Sequence, residues 1–293
     1  MSNLAKYLMA AAGNTSSAEE GVDYREASEY THIAFDTVVD SGATVGDLRG
    51  VFIKPDGTKF YHIDVGENLE EYNLSTPFDI TSHSNRVSTA NIRTSSYSNG
   101  LNAAATGIFF KPDGTKMWCS DVDDHLYEYT LSTAWDISTI SYTRYQSFTA
   151  EFDTFRGVYF SPDGTKMFGI DNTLDRVKRF SLSTAWDMTT ETYHSQSSLL
   201  DVSTTINEAT PIAFWMSDDG LIAYVVGTTR DYIYSWNLTT AWDITQINSD
   251  ADSSLYIGTQ EGAARDMCFS PNGRYLYICG ANGHGVDVWD RGT

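Results

Sequence analysis

The sequence predicts an all-β fold, a five-bladed β-propeller whose blades each contain four antiparallel strands. Two observations lead to this prediction. Two short motifs recur in step along the 293 residues of the chain, and segments between them alternate apolar and polar residues with the period of two that half-buried strands show. The chain is long enough for one large all-β domain, and the repeat favours one domain over two.

The first motif is a Pro-Asp-Gly turn, written Lys54-Pro-Asp-Gly-Thr-Lys59 at its first occurrence. It recurs four more times with falling identity. The glycines of the five copies are Gly57, Gly114, Gly164, Gly220 and Gly273. Because glycine readily adopts the left-handed conformation that tight hairpin turns need, we expect each copy to join the first and second strands of a blade.

The second motif is Leu-Ser-Thr-Ala-Trp-Asp, which follows the first four turns at a near-constant offset. Its copies are Leu74–Asp79, Leu131–Asp136, Leu182–Asp187 and Leu238–Asp243, and the fifth unit keeps only Val288–Asp290. We expect the tryptophans Trp135, Trp186 and Trp242 to pack between neighbouring blades rather than to stack on a ligand, because identical residues at equivalent corners favour a structural role.

Each of the first four units supplies four strands. In the units where they are clearest, the strands are an apolar innermost one such as Gly50–Ile53, a second such as Lys59–Ile63, a third such as Leu126–Tyr129 and a polar fourth such as Ile140–Arg144. Four antiparallel strands in a repeat of about 40 to 50 residues are typical of a propeller blade.

The two ends of the chain predict that the ring closes. The fifth unit stops after three strands, while Tyr30–Val38, before the first unit, has the pattern of a lone fourth strand. Pairing of this N-terminal strand with the last blade would cover an exposed edge. The alternative, an open stack of sheets, leaves terminal edges unpaired. We therefore divide the chain into an N-terminal segment, residues 1–25, and a propeller, residues 26–293.

Charge and composition exclude several classes of partner. The net charge is −20, from 39 acidic and 19 basic side chains, which disfavours binding to nucleic acid or to an anionic membrane surface. No apolar run is long enough for membrane insertion. Neither a cofactor motif nor a metal-spaced set of histidines is found.

Three cysteines, Cys119, Cys268 and Cys279, are too few and too irregularly spaced for a disulfide framework or a zinc site. Counting from the Asn272-Gly273 turn places Cys268 opposite Tyr277, so Cys268 and Cys279 are out of register for a bridge. We expect three buried, reduced thiols and assembly in a cytoplasm.

The first residues of the chain predict a docking helix. Leu4, Tyr7, Leu8 and Ala11 recur at helical spacing and would form one apolar face. The alternatives are a frayed terminus and a signal peptide, although the apolar run is short and is interrupted by Lys6.

The variable loops and one mouth of the central channel are the candidate binding region. The blade-to-blade connections, expected near Ser88–Thr106, Ala150–Thr154, Ser203–Thr210 and Ser253–Ala264, differ between units, and variable loops on a rigid scaffold commonly carry binding. The longest one contains Arg93 and Tyr97.

Three arginines, Arg49, Arg156 and Arg265, stand at equivalent places at the start of an innermost strand. They could hold a carboxylate or sulfate ligand. The alternative that we favour is that each pairs with a nearby acid (Asp47, Asp153 or Asp266) and staples the ring.

Metal binding and catalysis receive weaker support. Asp121, Asp123 and Asp124 are a weak calcium candidate, since no full calcium-loop pattern is present and aspartate is favoured in turns anyway. A propeller glycoside hydrolase would need paired carboxylates at the channel mouth. The candidates by position are Asp47, Asp153, Glu208 and Glu261, in dissimilar contexts, so we predict that the protein is not an enzyme.

The pairing of Pro-Asp-Gly-Thr-Lys-Met with Leu-Ser-Thr-Ala-Trp-Asp-Ile, over about residues 48 to 290, resembles propeller repeats in structural proteins of tailed bacteriophages, marine ones especially, and in some marine bacterial proteins. The opening Leu4–Gly13, followed by a Gly/Ser/Asn stretch, resembles the N-terminal segment of many phage virion proteins. That resemblance implies a small helix that attaches a globular module to the particle.

These resemblances imply a virion protein, assembled in the host cytoplasm, that decorates a capsid, neck or tail or forms part of a fibre. Its expected partners are other virion proteins, through residues 1–25, and a glycan or protein of the host surface. The alternatives are a soluble, lectin-like carbohydrate-binding propeller and, third, a propeller glycoside hydrolase.

Overall fold

The computed structural model describes residues 26–36, 47–92, 104–193, 199–247, 250–281 and 285–292. In these residues the chain forms five antiparallel sheets, which are the five predicted blades. From the centre outward, blade 1 consists of β2 (Leu48–Ile53), β3 (Lys59–Asp64), β4 (Asn68–Asn73) and β5 (Ser88–Asn91), and blade 2 consists of β6 (Ala105–Phe110), β7 (Lys116–Asp121), β8 (His125–Leu131) and β9 (Ile140–Ser147). Blade 3 consists of β10 (Phe155–Phe160), β11 (Lys166–Asp171), β12 (Arg176–Leu182) and β13 (Glu191–Tyr193), and blade 4 consists of β15 (Pro211–Met216), β16 (Ile222–Gly227), β17 (Tyr232–Asn237) and β18 (Ser253–Tyr256). Blade 5 consists of β19 (Ala264–Phe269), β20 (Tyr275–Gly280), β21 (Val286–Asp290) and β1 (Thr31–Asp36).

The innermost strands form a closed ring. Each of them packs against the innermost strands of its two neighbours, in the order β2, β6, β10, β15, β19 and back to β2. All five run in the same direction, from the face that carries the blade-to-blade connections to the face that carries the Pro-Asp-Gly turns. We call these the mouth face and the turn face.

The N-terminal strand completes the last blade, as the sequence predicts. β1 pairs with β21 in antiparallel register, with His32 opposite Trp289 and Ala34 opposite Val288. This pairing covers the edge of β21 that would otherwise expose unpaired backbone groups.

Residues just before β1 also rebuild the corner that blade 5 lacks. In the other blades a short 3-10 helix, capped by the motif aspartate, precedes the fourth strand: Ile80–Ser82, Ile137–Thr139, Met188–Thr190 and Ile244–Gln246. Ala27–Glu29 is the corresponding 3-10 helix of blade 5. The backbone N–H groups of Ala27 and Ser28 donate to Ser235 and Ser253 of blade 4, and the Tyr30 hydroxyl donates to the carbonyl of Gly273.

The structure corrects the predicted bounds of the loops. Ser88–Asn91 and Ser253–Tyr256, which we expected to begin connections, are fourth strands. The expected connection Ser203–Thr210 overlaps the short helix α1 (Val202–Ile206), which begins one residue before it. In blade 3 the outer edge is divided, since β14 (Leu199–Asp201) pairs with β12 beside β13. Polar strands with little apolar patterning are hard to separate from loops in a sequence.

The corner tryptophans pack as predicted. Trp135 lies 5.7 Å from the ring of Phe110 in its own blade and 6.2 Å from Tyr61 of blade 1. Trp186 stacks on Trp118 of blade 2, and Trp242 stacks on Tyr159 of blade 3. The repeated features of the turn face therefore hold blades together.

All three cysteines are buried and free, as expected. Cys268 lies opposite Tyr277 in the register of β19 and β20, and Cys279 lies opposite Asp266.

Candidate functional site: the mouth of the central channel

Aromatic rings fill the channel at the turn face. Phe52, Phe109, Tyr159 and Trp215, at equivalent positions of four innermost strands, contact one another with ring centroids 4.9 to 6.5 Å apart. Together with the turn prolines they line a cavity of only about 40 Å³, about the volume of a water molecule. A ligand that uses the channel must therefore approach from the mouth face.

The middle of the channel is narrow because small residues line it and allow the backbones of the innermost strands to approach one another closely. Gly50, Gly107, Gly157 and Ala213 occupy equivalent positions, and a Cβ atom on Gly107 would lie 3.1 Å from the Cα of Gly157. The fifth blade places Asp266 at this level, almost completely buried.

The carboxylate of Asp266 binds backbone groups of other blades. It accepts hydrogen bonds from the N–H groups of Val51 at 3.2 Å and of Met267 at 2.9 Å, and the N–H of Ile108 also bonds to it. Val51 and Ile108 lie on β2 and β6. Burial raises the pKa of Asp266 to about 8, although these backbone bonds lower it. We expected Asp266 to pair with Arg265. That expectation is wrong, because the Asp266 side chain accepts hydrogen bonds from backbone N–H groups on the inner edges of two strands, β2 and β6.

Two of the three arginines at the mouth share one acid. Asp47 accepts from the Nη2 of Arg49 at 2.5 Å and from the Nε of Arg265 at 2.9 Å. Asp47 therefore connects blade 5 to the start of blade 1, as the staple interpretation predicts for Arg49. Burial lowers the pKa of Arg49, Asp47 raises it, and Arg265 lowers it further.

Arg156 differs from the other two arginines. The predicted ion pair with Asp153 is not found: Asp153 is exposed, and among the described residues Arg156 has no ion pair or hydrogen bond, with its Nε atom buried and unpartnered. Burial lowers the pKa of Arg156, and Arg265 and Arg49 lower it further, against weaker opposite effects of Asp124 and Asp47. The three guanidinium groups are thus near enough to repel one another.

Two of the four carboxylates that we considered for catalysis have structural roles. Glu208 is fully buried and accepts hydrogen bonds from both the N–H and the hydroxyl of Thr210 and from the N–H of Thr229. It packs over Gly227, where any Cβ would lie 2.2 Å from its carboxyl carbon. Glu261 packs in the same way over Gly280.

Two aspartates of the weak calcium candidate, Asp121 and Asp124, bind backbone amides. Asp121 accepts from the N–H groups of Asp123 and His125 at 3.1 and 2.9 Å, and Asp124 accepts from the N–H of Phe155 at 2.6 Å. In the part of the chain that the structure describes, no group of three His, Cys, Asp or Glu side chains could hold a metal ion. The hydrogen bonds from two backbone N–H groups give Asp121 the turn role that aspartate commonly has.

The remaining candidates fall outside the described residues. These are Leu4, Tyr7, Leu8 and Ala11 of the predicted docking helix, and Arg93 and Tyr97 of the longest predicted loop. Within the described ranges no helix is long and apolar enough to cross a membrane.

The structure identifies features that our sequence interpretation missed. The four-ring closure of the channel and the central position of Asp266 were not predicted. A signal for Asp266 exists in the sequence, because it replaces glycine or alanine at a position seven residues before each turn glycine.

No protein-family model matches the chain, and no curated protein matches it. Among solved structures, the chain is similar to the periplasmic gluconolactonase of Pseudomonas aeruginosa, with 13% sequence identity and a TM-score of 0.46. The likeness covers 82% of this chain and 65% of the gluconolactonase chain, so this chain spans less than two thirds of that structure. A likeness at this level carries no argument about activity.

Proposed function

We propose that this protein is an interaction module rather than an enzyme, and that it works on the particle of a tailed bacteriophage. Residues 1–25 would dock it to another virion protein, and the mouth face would point outward, towards a glycan or protein of the host surface. Display of several copies would turn weak contacts into useful avidity.

The burial and the partners of the four candidate carboxylates are the observation that favours binding over catalysis. A glycoside hydrolase needs an acid and a base or nucleophile at a fixed separation around the scissile bond. Here Glu208 and Glu261 are buried, Asp47 forms ion pairs with two arginines, and Asp153 is exposed. These four carboxylates therefore differ from the acid and base pair that a hydrolase needs, which favours a binding role.

The difference between the two faces supports a role of the mouth face in binding a partner. The repeated corners of the turn face are used by packing and by bonds between blades, such as those from Tyr61 to the carbonyl of Trp135 and from Tyr277 to that of Phe78. The mouth face carries the connections that differ between blades. The particle itself is proposed on the resemblance of the repeats and of the opening segment.

Particle association is tested with density-purified phage. We expect the protein in purified particles, and we expect its loss when residues 1–25 are deleted or when Leu4 and Leu8 are both changed to Ser. Lys6→Ser, on the opposite side of the predicted helix, is the matched control and should leave incorporation unchanged. Absence of the full-length protein from particles would overturn the proposal.

Catalysis is tested separately on the purified protein with a panel of oligosaccharides. We expect no release of reducing sugar. Release that disappears on changing Asp47, Asp153, Glu208 or Glu261 to its amide would replace the proposal with a hydrolase.

A further inference from the structure

The mouth of the channel concentrates positive charge in a very acidic protein. Arg49, Arg156 and Arg265 each precede a turn glycine by eight residues, so the repeat places them at one level of the ring. The other two residues at this level, Thr106 and Ile212, are uncharged and buried.

The nearby acids do not compensate this charge evenly. Asp47 is shared by Arg49 and Arg265, and Asp124, the acid with the largest effect on Arg156, uses one oxygen to bind the N–H of Phe155. Among the described residues Arg156 therefore keeps a partly buried guanidinium without an ion pair. Holding such a group beside two like charges opposes folding, and residues in such unfavourable arrangements are commonly functional.

We infer that the channel mouth binds a small oxyanion, a carboxylate or sulfate group, with Arg156 as its principal ligand and Arg49 and Arg265 as flanking charges. A guanidinium binds such groups through a planar fork of donors. The aromatic closure at the turn face makes this a shallow site, suited to the acidic substituent of a sugar or to the free ion. The inference does not depend on attachment to a phage particle.

Anion binding is measured on the full-length protein by isothermal titration calorimetry with sodium glucuronate and with sodium sulfate. Ionic strength is held constant with NaCl, and glucose is the neutral control. We expect both anions or one of them to bind the wild-type protein and glucose not to bind. A stronger response to glucuronate identifies a carboxylate site, and a stronger response to sulfate identifies a site for sulfate groups or the free ion.

Arg156→Gln is expected to weaken anion binding at least about tenfold, the loss that a charged hydrogen-bonding partner commonly causes. Arg156→Lys should bind anions with an affinity between those of Arg156→Gln and the wild type, because lysine keeps the positive charge but lacks the planar fork of donors. The control is Arg144→Gln, which removes the same charge from an arginine that lies near Glu128 and Asp187, away from the mouth. It should bind anions like the wild type.

Urea unfolding without added anion separates a binding role from a structural one. If Arg156 serves a ligand, Arg156→Gln should be as stable as the wild type or more stable, whereas Arg265→Gln, which breaks the ion pair with Asp47, should be less stable. Two results would overturn the inference: a loss of stability in Arg156→Gln comparable to that of Arg265→Gln, or anion binding that is equal in Arg156→Gln and the wild type.

Discussion

The corner aromatic residues have backbone conformations that bulky side chains rarely adopt. Phe78, Trp135, Trp186 and Trp242 all have φ between 64° and 67°. For a bulky residue this region is unfavourable, so neighbouring contacts must compensate it. The turn glycines supply the space: the ring of each corner residue lies directly over a glycine of its own blade.

This arrangement predicts a strong effect of a single methyl group. A Cβ on Gly114, whose φ is +72°, would lie 2.4 Å from the Nε1 of Trp135. We expect Gly114→Ala to lower the free energy of unfolding by at least about 2 kcal/mol, from the left-handed backbone and the displaced ring together. Urea unfolding followed by tryptophan fluorescence measures it.

Gly292→Ala is the matched control, because Gly292 has a φ of +80° with no atom within 4 Å of the added Cβ. It should show only the smaller backbone effect. Equal losses in the two variants would contradict the packing explanation.

At the scale of elements, residues 26–36 do more than close a sheet. They provide the fourth strand of blade 5 and, just before it, the 3-10 helix and tyrosine that replace the missing corner. The ring is therefore closed by side-chain and backbone contacts with two blades. The sequence indicated the strand, through its alternation, but not the corner, because Ala27–Tyr30 lacks the Leu-Ser-Thr-Ala-Trp-Asp motif.

Two truncations test this closure. Deletion of residues 1–25 should leave the thermal unfolding temperature within about 2 °C of the full-length value, because residues 26–36 keep the closing contacts, including the hydrogen bond that the Glu26 side chain accepts from Asn237. Deletion of residues 1–36 should lower it by more than about 10 °C or cause aggregation, because the edge of β21 becomes exposed. A similar melting temperature for both truncations would show that closure contributes little.

At the scale of the whole molecule, one buried acid connects three blades. Asp266 of blade 5 binds backbone N–H groups of blades 1 and 2, across the centre of the ring. Its pKa of about 8 in the folded protein is far above the ordinary value of 3.8. The neutral form therefore favours folding. This contribution is complete below about pH 4 and is lost as the pH rises through 8.

Asp266→Asn isolates that contribution, because the amide cannot ionise and the remaining charges are unchanged. We expect the stability of the wild type relative to the variant to fall as the pH rises from 5 to 8, by at most about 1.4 kcal/mol per pH unit. Urea unfolding at four pH values measures the difference. A difference that stays constant, or grows with pH, would mean that the three amides keep the carboxylate ionised.

The sequence by itself determined the scaffold. Five turns, four corners and an unmatched N-terminal strand specify the number of blades, the order of strands and the closure, because turn chemistry and alternation depend on residues that are close in the chain. The packing role of the corner tryptophans and the register of Cys268 also followed from the repeat.

Only the tertiary structure decided the chemistry of the channel. Arg265 and Asp47 are 218 residues apart, and Asp266 and Val51 are 215 residues apart. Sequence neighbours suggested the pairs Arg265–Asp266 and Arg156–Asp153, yet the fold gives Asp47 two arginines and leaves Arg156 without an ion pair among the described residues. Ring closure brings opposite ends of the chain together, so partners at the centre cannot be read from local spacing.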